Sequence, residues 1–421
     1  MKKRVFSPGD ILLPKATTDM TKWSVVACDQ YTSEPEYWNA VSEFVGDAPS
    51  TLHITFPEIY LEDGDGDKRI ESINENMSEY ISNGLFASPE SKYIYVERTQ
   101  RNGKIRRGLM GVVDLEEYDY MPGSQSKIRA TEGTVLERIP PRVKIRKNAN
   151  LEIPHIMLLI DDAEKSVIEP LDEAKKSLDL AYDFKLMQDS GSIKGYFVDK
   201  SEEERIDAAL ARLADEKLFN AKYGVSDKGV LQYAVGDGNH SLATAKECWR
   251  LVKETLSPEE FDTHPARYAL CELVNLHDSS LEFEAIHRVV FDIDAKQMRT
   301  ALSEYYELSS DAEQKFVMIT ADGSEEIGIA NPKSNLTVGS LQKFIDDYLN
   351  KNGGRVDYIH GEDVVNRLGS ESGNAGFILP VISKDSFFPT VICDGALPRK
   401  TFSMGDAWDK RFYLESRIIK K

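Results

Sequence analysis

The six-residue run Gly236-Asp237-Gly238-Asn239-His240-Ser241 concentrates more chemistry than any other stretch of the chain. It follows the apolar Leu231-Gln232-Tyr233-Ala234-Val235 and precedes a helical pattern from about Leu242 to Leu256. A strand that turns sharply into a helix leaves backbone N–H groups free at the helix start. Those donors, with the positive end of the helix dipole, suit a phosphate or a carboxylate. Gly236 and Gly238 permit the sharp turn and the close approach of a ligand. Asp237 has the chemistry to orient a metal or a hydroxyl, and His240 to donate to an anion or relay a proton. A plainer reading gives Asn239 or Ser241 the task of capping the helix and Asp237 that of fixing an Asx-type turn.

The other candidates lie far away in sequence. Glu132 stands between Thr131 and Gly133 with no evident structural duty, in a basic segment that also holds Arg129, Arg142, Lys144 and Arg146. As solvated cations these would need no explanation, since Lys and Arg are mostly exposed. His53, His287 and His360 each adjoin apolar residues, where a hydrogen-bonded structural histidine is the commoner outcome. No HxxE, HxH or HExxH spacing occurs, so a dedicated transition-metal motif is not expected. There is no nucleophile elbow and no Walker loop.

The elements that must carry these residues read as a mixed α/β chain. Leu52–Phe56 is expected as a strand and Lys68–Ser82 as a helix. Tyr93–Val96 and Arg107–Val113 are expected as a strand pair closed by Arg101-Asn102-Gly103-Lys104. Residues 121–150 are basic and rich in Pro and Gly without a clean period, which predicts a linker or a functional loop. Strands follow at His155–Ile160, Gly195–Val198 and Leu231–Val235, with a helix over Ser201–Phe219 opened by Ser201 and Glu204. Further on, strands are expected at Phe316–Thr320, Gly376–Ile382 and Arg411–Ile419, and a helix at Ser340–Asn350. This alternation points to an α/β layer.

At 421 residues the chain is long enough for two or three domains. Asp and Glu number 71 against 52 Lys and Arg, a net charge of −19, which disfavours nucleic acid and anionic membranes as partners. The four cysteines form no CxxC pair, so neither a disulfide framework nor a thiolate metal site is expected. The first residues run into Pro8 without an apolar segment and do not read as a signal peptide. No apolar run of about 18 residues suggests a membrane span, and the cytoplasm is the expected compartment.

Across nearly its whole length the sequence resembles the bacterial domain-of-unknown-function family numbered 1015. The loop resembles that family's Asp-Gly-His-His-Arg motif. Further stretches follow in the family's order: Asp29 to Glu36; Leu52-His53 with Pro57-Glu58; Ile128 to Thr134; Asp278 with His287-Arg288; Tyr358 to Gly361; and Leu397 to Phe402. The loop also resembles the phosphate-contacting loop of the ParB and sulfiredoxin superfamily, which includes free-serine kinases. Sulfiredoxin chemistry is excluded, because Asn239 stands where its cysteine would be. Asn239 and Ser241 also replace the motif's first histidine and its arginine, which removes a fixed, bidentate anion ligand. The resemblance therefore requires another cation, for which Arg399 and Lys400, followed by Thr401, are candidates with Arg129 and Arg142. Glu34 and Glu36 fall where the serine kinases carry a catalytic glutamate, although Ser33-Glu34-Pro35-Glu36 also reads as the start of a helix.

These readings together imply a ParB/sulfiredoxin-like nucleotide-binding core with an additional α/β region. The expected divisions are 1–150, 151–300 with the loop, and 301–421 completing the cleft. The implied function is Mg²⁺-assisted phosphoryl transfer from ATP or another nucleotide to a small hydroxylated metabolite. Phosphates would lie on Gly236 to Ser241, with His240 as a phosphate donor, Asp237 on the metal and Glu34 or Glu132 as base. The rival readings are a non-catalytic nucleotide- or metabolite-binding regulator and a hydrolase of a small phosphorylated compound. A homodimer is compatible with either.

Overall fold

A computed structural model describes residues 4–61, 63–133, 136–398 and 400–420. Thr134 and Arg399 lie outside the described residues. The chain divides into two compact units, residues 1–281 with 406–421, and residues 282–405. The fold class is mixed α/β.

The first unit is organised on a ten-stranded sheet. In chain order its strands are β1 (Phe6–Ser7), β2 (Ile94–Thr99), β3 (Ile105–Asp114), β4 (Tyr118–Asp119), β5 (Ile128–Arg129), β6 (Met157–Ile160), β7 (Asp179–Lys185), β8 (Ser192–Phe197), β9 (Tyr233–Asp237) and β10 (Tyr268–Asn275). Their spatial order is β7-β8-β2-β3-β10-β6-β9-β5-β4, with β1 on β3. Strands from both sides of residue 150 alternate in this order, so 1–150 and 151–281 share one sheet rather than forming separate regions. Most pairs are antiparallel, while β6/β10, β5/β9 and β4/β5 are parallel. The Asn-Gly hairpin forms as its sequence requires. Gln100 donates to the Lys104 carbonyl at 2.9 Å, and Gly103 takes the left-handed conformation at φ +81°.

The longer helices of this unit are α1 (Pro35–Val45), α2 (Gly66–Ser82), α3 (Ile139–Arg146), α4 (Lys200–Leu213), α5 (Glu216–Tyr223) and α6 (Asn239–Lys253). Four local expectations are corrected. Residues 51–54 form a 3₁₀ turn in place of a strand, with Ser50 accepting the Leu52 N–H. The helix expected over 201–219 is two helices, capped by Asp199 and Asp215, because Ala214 ends the first. The basic segment contains α3, started by Pro140 and Pro141. The last strand is two short ladders, Phe412–Tyr413 on Val25–Val26 and Arg417–Ile418 on Leu151–Glu152.

The second unit has its own five-stranded antiparallel sheet. Its strands β11 (His287–Phe291), β12 (Gln314–Thr320), β13 (Gly323–Ile329), β14 (Arg355–Ile359) and β15 (Ala375–Ile378) lie in the order β13-β12-β15-β11-β14. The helix Thr337–Asn352 buries Leu341, Phe344 and Ile345. Among the described residues no helix is long and apolar enough to cross a membrane.

Candidate functional site

Strand β9 is anchored by Tyr233, Ala234 and Val235, all at most 1% exposed. Burying a side chain of valine's size contributes roughly 1.5–3 kcal/mol, enough to fix the strand that ends at Asp237. Gly238 follows at φ +79° and opens α6. Its N–H donates to Asp237 Oδ1 at 2.8 Å. A Cβ at this glycine would lie 3.0 Å from the Ile156 Cα, so the turn needs glycine for its conformation and for its space.

Neither Asn239 nor Ser241 caps the helix. The Asn239 side chain instead turns to Thr131, accepting its N–H at 3.3 Å, while the Thr131 hydroxyl donates to the Val235 carbonyl at 2.6 Å. Among the described residues no group accepts the backbone N–H of Asn239 or of Ser241. The first turn of a fifteen-residue helix therefore keeps donors for a ligand. Gly236 to Ser241 are all partly exposed.

Three separate segments converge on Asp237. Antiparallel pairing sets Met157 opposite Asp237, which brings the preceding His155 to the end of β9. The ladder of Val25–Val26 with Phe412–Tyr413, extended by the Ala27 N–H on the Arg411 carbonyl at 3.0 Å, brings Asp29 and Lys410 to the same corner. Asp29, His155 and Asp237 place one ligand atom each within 4.8 Å of one another. His155 Nε2 lies 3.6 Å from Asp29 Oδ2, and Lys410 Nζ lies 3.4 Å from Asp237 Oδ2. On its other side His155 Nδ1 is 3.2 Å from the Tyr413 hydroxyl, which also accepts the Cys28 N–H at 3.1 Å. Burial pushes the Asp237 carboxyl up, but Lys410 and then His155 outweigh it and hold the group below the usual carboxylate range.

None of the remaining sequence candidates is among the three clustered ligand residues. Glu132 adjoins Thr131, and so sits one residue from the contact with Asn239. Glu34 is exposed at the start of α1, where it makes no side-chain cap, and Pro35 opens the helix. His240 is partly exposed in the first turn of α6, its carbonyl accepting from the Thr244 hydroxyl at 2.7 Å. Arg129 is buried and donates to the carbonyls of Ser126 and Gly229 at 2.8 and 2.5 Å. Burial alone brings its guanidinium down to about 10. Arg142 pairs with Glu58. Lys400 and Thr401 belong to the second unit, Lys400 exposed and Thr401 buried with its hydroxyl on the Pro398 carbonyl. The His53 Nδ1 lies 3.1 Å from the Tyr80 hydroxyl, and the Leu379 N–H donates to His287 at 3.1 Å.

Sequence reasoning misses His155, Lys410 and Tyr413. His155 reads as the first residue of an apolar strand, Tyr413 falls inside the expected terminal strand, and Lys410 stands just before it. The one available signal was Asp29, at the head of a family-like stretch.

A model of the family described as "Protein of unknown function (DUF1015)" matches residues 12–348. The chain belongs to this family. No curated protein matches the sequence. Among solved structures the fold is similar to a free serine kinase in complex with AMP, at 10% identity and a TM-score of 0.38, over 73% of this chain and 90% of that one. A mutant free serine kinase in complex with ADP gives 10% identity and a TM-score of 0.39, over 75% and 93% of the two chains. A conserved hypothetical protein from Pyrococcus furiosus gives 10% identity and a TM-score of 0.34, over 73% and 94%.

Proposed function

We propose that this protein transfers a phosphoryl group from a nucleotide to a small hydroxylated metabolite at the Asp237 corner. The observation that carries the reading is the start of α6, where among the described residues the N–H groups of Asn239 and Ser241 have no acceptor and Lys410 stands on the Asp237 carboxylate just before them. Donors and a fixed ammonium at one point suit the oxygens of a polyphosphate, and they supply the cation lost with the motif's arginine. Loop resemblance to the serine kinases agrees with this assignment.

In the proposed reaction the hydroxyl oxygen of the acceptor attacks the terminal phosphorus, and the bond to the leaving phosphate oxygen breaks. The hydroxyl proton passes to a carboxylate. Glu132 is the favoured base because Thr131 ties it to the loop, and Glu34 is the alternative. The N–H groups of Asn239 and Ser241 hold the phosphates, and His240 donates to a phosphate oxygen. A divalent cation held at Asp237 would neutralise charge on the transferred group. Such catalysis is largely positioning and electrostatics, so the lack of covalent machinery is no obstacle.

The test is a thermal-shift screen of ATP, ADP and CTP with and without a divalent cation, followed by turnover assays on serine-like hydroxyl compounds. A ligand at 100 times its Kd stabilises the folded state by about 2.7 kcal/mol, which is readily seen. His240→Ala is expected to weaken nucleotide binding. Replacing the base with glutamine should preserve binding and lower kcat by roughly 10²–10⁴-fold. If no nucleotide binds and none is consumed, the reading fails. Binding without turnover on any acceptor would favour the regulator.

A further inference from the structure

Asp29, His155 and Asp237 reach one point from three segments that are 126 and 82 residues apart by the difference of their numbers. Two carboxylates and one imidazole, each offering a ligand atom within 4.8 Å of the others, form a donor set of one nitrogen and two oxygens. Magnesium favours oxygen ligands and retains its waters, whereas imidazole suits ions of intermediate softness. His155 is 5% exposed, so its ring is set by its surroundings rather than by solvent. Tyr413, 4% exposed, approaches Nδ1 at 3.2 Å. With the Nδ1 proton donated to that hydroxyl oxygen, Nε2 is left as the ligand atom facing Asp29. A partner on the second ring nitrogen is the usual device for orienting a metal-bound histidine. Lys410, at 3.4 Å from Asp237, is a single positive charge beside the same carboxylate.

We propose that Asp29, His155 and Asp237 bind a divalent ion of the Mn²⁺ class in preference to Mg²⁺, and that Lys410 competes with it for Asp237. The site is the one used by the phosphotransfer reading, and the inference names its ion. When the ion binds, the Lys410 ammonium leaves Asp237 and becomes available to an anionic ligand. Lysine suits this exchange because its charge sits on a flexible stem.

The experiment is Mn²⁺ titration of the full chain without nucleotide, read by the loss of free-Mn²⁺ electron paramagnetic resonance signal, with Mg²⁺ as competitor. Wild type should bind one Mn²⁺ that a tenfold excess of Mg²⁺ does not displace. His155→Ala and Asp29→Asn should each weaken binding by more than about tenfold, and Tyr413→Phe by roughly 10-fold or more through loss of the ring's orienting partner. Lys410→Met should tighten binding, the opposite sign to every ligand variant, and a purely structural ion pair would not give that result. Melting curves establish that each variant is folded; if His155→Ala is not, Asp29→Asn and Lys410→Met carry the test. Absence of Mn²⁺ binding by wild type, equal binding by Asp29→Asn, or weaker binding by Lys410→Met overturns the inference. Because this titration needs no nucleotide, Mn²⁺ binding here together with no turnover in the separate nucleotide and acceptor assays would sink the kinase reading and keep the metal site. Turnover supported by Mg²⁺ alone, with no Mn²⁺ bound, would do the reverse.

Discussion

Glu152 and Asp237 are both held below the usual carboxylate range with the help of a cation from the segment 406–421, yet their surroundings differ. Glu152 is fully buried, where desolvation opposes its charge, but Arg417 and then Arg146 overcome that cost. It accepts from Arg417 Nε at 2.7 Å, Arg146 Nη2 at 2.5 Å and the Leu270 N–H at 3.0 Å. Arg417 spends its other donors on the carbonyls of Pro265 and Tyr268. That cluster is closed and satisfied. Asp237 keeps its side chain 22% exposed, with one backbone N–H at 2.8 Å and a lysine at 3.4 Å. Its neighbours Asp29 and His155 stand at ligand distance rather than in tight pairs. The same strap of chain thus helps close one cluster with an arginine, whose planar fork saturates a carboxylate, and leaves the other open with a lysine. An open cluster of charges at the end of a strand is where a ligand can enter.

The sharpest way to break this comparison is stability. Glu152→Leu leaves Arg146 and Arg417 without their buried anion, and the expected cost is about 3–5 kcal/mol in urea unfolding. Asp237→Asn should cost only about 1 kcal/mol on the same measurement, as for one ordinary hydrogen bond. Equal costs would contradict the contrast.

Acid offers a second handle on Glu152. Its carboxyl is lower in the folded than in the unfolded chain. Its contribution is therefore present above the unfolded value of about 4.3 and lost as pH falls through the folded one. The melting temperature of wild type should drop more steeply than that of Glu152→Gln below pH ~4. Parallel curves would remove the buried pair from the account.

The comparison can be sharpened at two glycines. Gly238→Ala meets the Ile156 backbone at 3.0 Å and must hold φ +79°, whereas Gly224 sits at φ +65° with open space around it. Both alanines bear the strain of a left-handed residue, of order 1–3 kcal/mol. Only Gly238→Ala should also abolish nucleotide binding in the thermal-shift screen. A Gly224→Ala protein that loses binding too would mean that general instability, not the turn, explains the effect. The smallest expected change is Asn239→Ala, about 1 kcal/mol for its bonds to Thr131, with weaker nucleotide binding from a displaced helix start.

Much of the fold was legible. The helix over Lys68–Ser82 lies within α2, and the Asn-Gly hairpin joins β2 to β3. The strand before Gly236 is buried and the helix after it forms, because apolar runs and glycine turns act locally. Local signals misled where tertiary packing decided. Leu52-His53-Ile54 has strand-forming residues, yet Ser50 caps a 3₁₀ turn there and bonds the Lys22 carbonyl at 2.6 Å. The strand–helix alternation points to the α/β layer that forms, but not to its mostly antiparallel pairing, because strand order is set by long-range pairing that periodicity cannot express.

For the site, the sequence alone determined the turn. Gly238 must be left-handed, Asp237 must precede it, and a helix must start with free N–H groups, since these follow from residues next to each other. Only the tertiary structure decided what surrounds that turn. His155 arrives through the antiparallel register of β6 on β9, and Asp29 and Lys410 through a two-residue ladder between chain segments nearly 400 residues apart. A side chain's distance from a strand end depends on which strands pair and in what register, and no short window of residues encodes that.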